Sequence, residues 1–416
     1  MNFEQLNLIA PLLSAIQEQQ YEIPSPIQQQ AIPSILKGAD LLASAQTGTG
    51  KTAAFTLPLL QRLAEKPRAK ANCALALILT PTRELAAQIH EHVLQLGRYL
   101  KLRSTVVYGG VKINPQMMAL RAGVEIIVAT PGRLLDLYKQ NAIRFDSIQT
   151  LVLDEADRML DMGFIHDIKR ILSALPRNRQ NLLFSATFSN EIRTLAKQLL
   201  INPVEVSVAP KNSTAVKVTQ VIHPVDKAQK TALLCHLIQK ENWQQALVFS
   251  RTKHGANKLV KGLAAANVSA LAIHGNKSQN QRIKALDEFK KGKVQILVAT
   301  DIVSRGIDID QLPLVVNFDL PQVPHDYVHR IGRTGRAGCD GLAVSLVSSD
   351  EFQQLQDIEK VINHRLKRIE IDNFEPNHRL PSQPIKTRGP AHPAGSSVKK
   401  NSAQKWSKRG QKNKVR

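Results

Sequence analysis

The stretch LVLDEADRML, residues 151–160, decides the fold. An apolar run, Leu151-Val152-Leu153, stops abruptly at Asp154 and Glu155, and Asp157 follows after one alanine. A short apolar run bounded by polar residues reads as a strand buried on both faces, as in a parallel sheet covered by helices. Three carboxylates at the end of such a strand repel one another and are costly to bury unless a cation stands among them. The rest of the sequence has to supply that positive partner.

Similar runs recur along the chain. In the first half they are DLLASA (40–45), LALILT (75–80), STVVY (104–108), VEIIVAT (124–130) and NLLFSAT (181–187). In the second half they are ALVFSRT (246–252), VSALAIHG (268–275), VQILVAT (294–300), LVVNFDL (314–320) and GLAVSLV (341–347). Helical patterns separate them, so the expected class is α/β, with parallel sheets flanked by helices. At 416 residues the chain exceeds what one core fills. The two halves also echo each other, since EIIVATPGR (125–133) and QILVATDIVSRG (295–306) share an apolar-VAT ending. Two related domains in tandem follow. The polar stretch VAPKNSTAVKVTQ (208–220) puts the linker at 209–216, between domains at 1–208 and 217–372. From 373 to 416 the composition turns to Pro, Gly, Ser, Lys and Arg, which predicts a basic disordered tail.

The net charge of +22 and the pI near 10.0 point to a polyanionic partner. From Asn373 onward eleven Lys and Arg face one acid, Glu375, which is +10 of the +22 and leaves +12 on the folded part. No basic amphipathic helix is evident, so nucleic acid is favoured over a membrane surface. No apolar run approaches the roughly 20 residues of a membrane span. The opening MNFEQLNLIAPLL lacks the basic region of a signal peptide, which predicts a cytoplasmic protein. Cys73, Cys235 and Cys339 show no CxxC spacing and fit a reducing compartment better than a disulfide framework or a zinc site.

ASAQTGTGKT (43–52) follows one of the apolar runs and opens a helical pattern. Gly48 and Gly50 let successive N–H groups turn inward to cradle phosphate, at a helix N-terminus whose dipole favours anions. Lys51 can reach the β- and γ-phosphates and the Thr52 hydroxyl can ligate Mg2+. Ala45 stands where the general pattern has glycine, and Gln46-Thr47 form the spacer. The carboxylates of LVLDEADRML then have their partner. Asp154 is placed to hold Mg2+ beside the phosphates, and Glu155 to orient and deprotonate an attacking water. Asp157 is read as a bond to a neighbouring motif.

AQTGTGKT, DEAD at 154–157 and SAT at 185–187, in that order, resemble a DEAD-box ATP-dependent RNA helicase, and the resemblance runs over about residues 1–370. DMGFIHDIKRIL, WQQALVFSRTKHGAN and AIHGNKSQ resemble the bacterial RhlE-type branch. The resemblance implies two tandem RecA-like domains, ATP and Mg2+ as ligands, and RNA as the partner, bound through its backbone. Phe3 and YEIPSPIQ (21–28) resemble the adenine-recognising segment, with Tyr21 stacking and Gln28 bonding the adenine edge; Gln20 and Ser25 depart from the usual Gly and Thr. The ATP set implied is Tyr21, Gln28, Ala45, Gln46, Thr47, Gly48, Thr49, Gly50, Lys51, Thr52, Gly306 and Asp308, the last on the ribose. The arginine fingers would be Arg333 and Arg336 in HRIGRTGR (329–336). Ser185, Thr187, Asp157 and His329 would couple ATP to RNA; a metal role for His329 with His325 lacks a third ligand. RNA contacts are implied at Pro81, Thr82, Arg83, Gly109, Gly110, Thr130, Gly132, Arg133, Arg251, Gln279, Arg282 and Thr300. Val303 and Ser304 replace two alanines beside an intact Arg305 and Gly306.

The activity implied is ATP-driven unwinding or remodelling of short RNA duplexes and RNA–protein complexes by a monomer, with ribosomal precursors or the RNA-decay machinery as candidate settings. The rival readings are an ATP-gated RNA clamp or annealing factor, a DNA helicase, and a purely structural basic protein. The last leaves the nucleotide motifs at strand ends unexplained.

Overall fold

Strands and helices alternate through a computed structural model that describes residues 2–45, 49–207, 218–301, 312–335, 341–378 and 380. The first sheet contains β1 (Leu41–Ser44), β2 (Ala74–Leu79), β3 (Ser104–Val107), β4 (Val124–Ala129), β5 (Thr150–Leu153), β6 (Gln180–Ser185) and β7 (Val204–Ser207). Its spatial order is β3-β4-β2-β5-β6-β1-β7, parallel throughout. The second contains β8 (Val218–Pro224), β9 (Ala246–Phe249), β10 (Ala270–Ile273), β11 (Ile296–Ala299), β12 (Leu314–Asn317), β13 (Gly341–Val347) and β14 (Lys367–Arg368). Its order is β10-β11-β9-β12-β13-β8-β14, again parallel.

Adding seven to each strand number of the first order gives the second, so the two lobes share one topology. The repeated apolar-VAT endings fall on β4 and β11, which hold the same place in the two sheets. The eleven apolar runs of the sequence all lie on strands, while β7, β8 and β14 went unread. Their patterns explain this: β7 (VEVS) is mostly exposed at a sheet edge, β8 (VTQVIHP) mixes polar with apolar residues beside the linker, and β14 is two residues long. The expected linker, 209–216, lies outside the described residues.

The central strands are buried on both faces because helices cover both. In β2, Ile78 packs into a layer with Ile32, Phe55 and Ile89, while Leu77 and Leu79 face a layer with Leu134, Ile168 and Leu195. Each such side chain removed from water contributes about 1.5–3 kcal/mol. The second lobe repeats this, with Val248 and Val298 on one face and Leu247 and Leu297 on the other. Its packing continues past the boundary expected at 372: Phe374 joins the core beside His236, Asn377 bonds Asp226, and Leu380 is buried. Met1–Leu380 form one compact unit. Among the described residues no helix is long and apolar enough to cross a membrane.

A parallel sheet brings its strands' carboxyl ends to one edge. In the first lobe that edge carries the segments after β1, β2, β4, β5 and β6, which are the polar endings singled out in the sequence.

Candidate active site and nucleic-acid face

The phosphate cradle begins where β1 ends. Gln46, Thr47 and Gly48 lie outside the described residues; Ala45 is buried, and Thr49 and Gly50 lead into the helix Lys51–Ala64. Gly50 has a φ of +88°, and a Cβ there would lie 2.5 Å from Gln28 Nε2, so only glycine fits. Gln28 Nε2 donates to the Gly50 carbonyl at 3.1 Å, and Gln28 Oε1 accepts from Ser25 N–H at 2.9 Å. The side chain expected at the adenine edge thus also ties the helix Pro26–Leu36 to the cradle. Tyr21 is partly exposed nearby in sequence, whereas Phe3 is a core residue.

Lys51 and Asp154 are both buried, and Lys51 Nζ has no hydrogen-bond partner. Asp154 accepts the Glu155 N–H at 3.0 Å. Burial pushes the Asp154 carboxyl up to about 6; the Lys51 charge opposes this, and Glu155 and Asp157 add to it. Glu155 caps the helix Ala156–Asp161 with a φ of +53°, a left-handed conformation that costs a non-glycine residue free energy and turns the chain sharply at the strand end. Its carboxylate pairs with Arg158.

An orphaned buried ammonium, a buried carboxylate beside it and a left-handed Gly50 at the helix start fit a nucleotide phosphate with a divalent cation. No three His, Cys, Asp or Glu side chains converge on a metal site among the described residues. A cation held by Thr52 and Asp154 would therefore take its other ligands from phosphate and water, which suits Mg2+.

Asp157 Oδ2 accepts from Ala186 N–H at 3.0 Å and Thr187 N–H at 3.1 Å, joining the ends of β5 and β6. Ser185 Oγ donates to the Thr187 carbonyl at 2.7 Å. His329 is exposed on the helix Pro324–Ile331; desolvation and the nearby Arg158 and Arg333 hold its pKa down, against Asp157 and Asp326. Arg333 is buried; Arg336, Gly306 and Asp308, with Val303, Ser304 and Arg305, lie outside the described residues.

Along the rest of the first lobe's edge, Thr82 caps the helix Arg83–Leu96 through Leu85 N–H, and Pro81 is buried before it. The Arg83 guanidinium lies over Gly109 and Gly110, 1.9 Å from where a Gly110 Cβ would stand. Thr130 precedes the helix Pro131–Lys139, Gly132 faces open space, and Arg133 donates to the Val111 carbonyl at 3.1 Å. In the second lobe Thr300 is buried at the end of β11, and Arg251, partly exposed, pairs with Glu351 at 2.7 Å. Gln279 and Arg282 are buried against Glu84 of the first lobe, at 2.8 and 2.7 Å.

Glu84 is one of the residues the sequence reading passed over, although it lies inside PTRELA. Arg330 is another. It fills HRIGR between His329 and Ile331, grips Asp301 with Nε and Nη2 at 2.6 and 2.7 Å, and stacks over Phe249. Arg158 is a third, hidden one residue beyond DEAD.

The family model for DEAD/DEAH box helicases matches residues 25–195, and that for the helicase conserved C-terminal domain matches 229–338. The chain is 42% identical over 383 residues to the DEAD-box ATP-dependent RNA helicase CshA of Streptococcus pneumoniae, covering 92% of this chain and 72% of that protein. Two solved structures also match. One is a DEAD box protein from Methanococcus jannaschii, 39% identical, covering 89% of this chain and 99% of that one, with a TM-score of 0.52. The other is Dbp5 of S. cerevisiae bound to RNA and ADP BeF3, 32% identical, covering 89% and 96%, with a TM-score of 0.77. With two parallel sheets of one topology and the nucleotide motifs on their carboxyl edge, the chain belongs to the DEAD-box ATP-dependent RNA helicase family.

Proposed function

We propose that the protein is an RNA-stimulated ATPase whose two lobes close on ATP and RNA to separate or remodel short RNA duplexes and RNA–protein complexes. The observation that carries this reading is a row of carboxylates running from the cradle towards the second lobe: Asp154 beside Lys51, Glu155 next, and Asp157 bonded to Thr187 and within electrostatic reach of His329. Such a row can sense phosphate at one end and lobe position at the other.

Lys51 takes up charge from the β- and γ-phosphates. Thr52 and Asp154 would hold Mg2+, which when bound neutralises charge on the phosphate oxygens. Glu155 accepts the proton of the attacking water, for which Arg158 has to release its carboxylate. Arg333 and Arg336 meet the charge that develops on the γ-phosphate, a contribution of roughly 10³–10⁵ in rate. Arg83, Arg133 and Arg251 supply phosphate contacts that position RNA without reading sequence. DMGFIHDIKRIL and AIHGNKSQ support placement in the RhlE-type branch.

Steady-state ATP hydrolysis with and without RNA, for wild type and Glu155→Gln, tests the reading. RNA should raise wild-type turnover, and the variant should lose about 10²-fold or more while still binding ATP. Turnover indifferent to RNA would remove the helicase reading. Strand-displacement and annealing assays then separate unwinding from clamping.

A further inference from the structure

The shared topology makes it meaningful to ask what the second lobe keeps where the first keeps its nucleotide site. Lys51 is the first residue of the helix after β1, and Lys230 is the first residue of the helix Lys230–Lys240 after β8, the matching strand. Asp154 follows β5; Asp319 follows β12, its counterpart. Arg83 follows β2; Arg251 follows β9. The second lobe therefore also carries a lysine, a carboxylate and an arginine in the segments after the matching strands, although Asp319 and Arg251 stand at other distances from their strand ends than Asp154 and Arg83.

In the first lobe the lysine waits for a ligand. In the second it has one, supplied by the chain. Lys230 Nζ pairs with Glu351, which follows β13, and donates to the Phe318 carbonyl at 2.8 Å. Glu351 Oε1 also accepts from Arg251 Nη2 at 2.7 Å and from Leu320 N–H at 3.0 Å. A buried anion thus collects a lysine, an arginine and a backbone N–H, the donor set a phosphate would collect.

This anion sits between two functional groups. On one side is Arg251, whose Nε is buried without a partner and whose backbone N–H bonds Asp319 at 2.8 Å. On the other, the Phe318–Leu320 turn offers the Asp319 carbonyl to Arg330 Nη1 at 2.6 Å. Arg330 belongs to the helix Pro324–Ile331, which leads into Arg333.

We propose that Glu351 is a positioning residue: a built-in anion, standing where the second lobe has no nucleotide, that aims Arg251 at RNA and anchors the turn supporting the arginine-finger helix. The inference rests on the RNA-stimulated ATPase reading and adds a link between RNA contact and finger placement that passes through neither ligand. The plain alternative is that Glu351 only closes the capping box with Ser348. Glutamine serves a capping box as well as glutamate, so Glu351→Gln keeps the cap and removes the charge.

The experiment titrates single-stranded RNA into full-length protein at saturating ATP, for wild type, Glu351→Gln, Arg251→Met and the double variant. Glu351→Gln should raise the RNA concentration for half-maximal stimulation about tenfold, as loss of a charge-assisted contact implies, and lower the stimulated kcat. Arg251→Met should raise the same constant, and the double variant should add little to it. Glu351→Asp should recover part of the effect. Should Glu351→Gln leave Lys230 unpaired and the lobe unfolded, Lys230→Met with Glu351→Gln, which removes both charges, takes its place. A half-saturation within about twofold of wild type in the folded variant, or effects of Glu351 and Arg251 that simply multiply, would overturn the proposal. Wild-type turnover indifferent to RNA would instead sink the reading beneath it.

Discussion

Asp154 shows at the scale of one residue how the site is held ready at the expense of stability. Its carboxyl is buried, pushed up to about 6, and crowded by Glu155 and Asp157. A folded-state pKa above the unfolded one means that the ionised carboxylate destabilises the ligand-free chain at neutral pH. Asparagine keeps an oxygen for the Glu155 N–H and sheds the charge. Asp154→Asn should therefore melt higher than wild type without ligand, by an amount on the order of 2 kcal/mol, yet lose the further stabilisation given by Mg2+ with a non-hydrolysable ATP analogue. Thermal unfolding with and without that pair reads both. A ligand-free variant that melts lower than wild type would refute the argument. Asp154 was legible because it follows directly on an apolar strand, and Lys51 because it ends the glycine-rich stretch that follows one. Arg330 was not, since it finds Asp301 only through the fold, and the local pair of Arg158 with Glu155 was passed over because Asp154 and Glu155 were both read against the phosphate site.

At the scale of elements, the strand-to-helix turns fix which side chains reach the edge. Gly110 has a φ of +79° and leaves room for the Arg83 guanidinium. Gly110→Ala would place a methyl group into that guanidinium and strain the turn by about 1–2 kcal/mol. Arg83 must then move, and RNA affinity should fall several-fold in a binding titration. Gly109→Ala, whose Cβ would meet Arg83 Nη2 at an ordinary 3.6 Å, should cost less. Equal affinities for the two variants would show that Arg83 does not depend on this packing. Eleven of the fourteen described strands were legible from apolar runs, because burial on both faces leaves a continuous signal. The edge strands β7 and β14 are half-solvated or too short to leave one. The contact of Gln279 and Arg282 with Glu84 was not legible for a related reason: a helix start rich in polar groups looks alike whether it faces RNA or another lobe.

Across the whole molecule, Glu84 joins the lobes. Its carboxylate, buried with Arg282 and Gln279, is that arginine's counter-charge among the described ion pairs. Removing one partner of a buried pair costs about 3–5 kcal/mol while the other stays buried, and opening the lobes lets Arg282 reach water instead. Glu84→Gln should thus favour a more open arrangement, seen as a larger radius of gyration in solution scattering without ligands. An unchanged radius would mean that other contacts hold the lobes. The shared strand order has a practical side as well. In both sheets the last strand in sequence, β7 or β14, lies beside the first, β1 or β8, so each lobe is completed by its own final segment. A shortened chain that stops at residue 380 keeps β14 and the Asn377–Asp226 bonds, whereas one that stops before Lys367 strips the flank of β8 and leaves a bare edge open to pairing with another molecule.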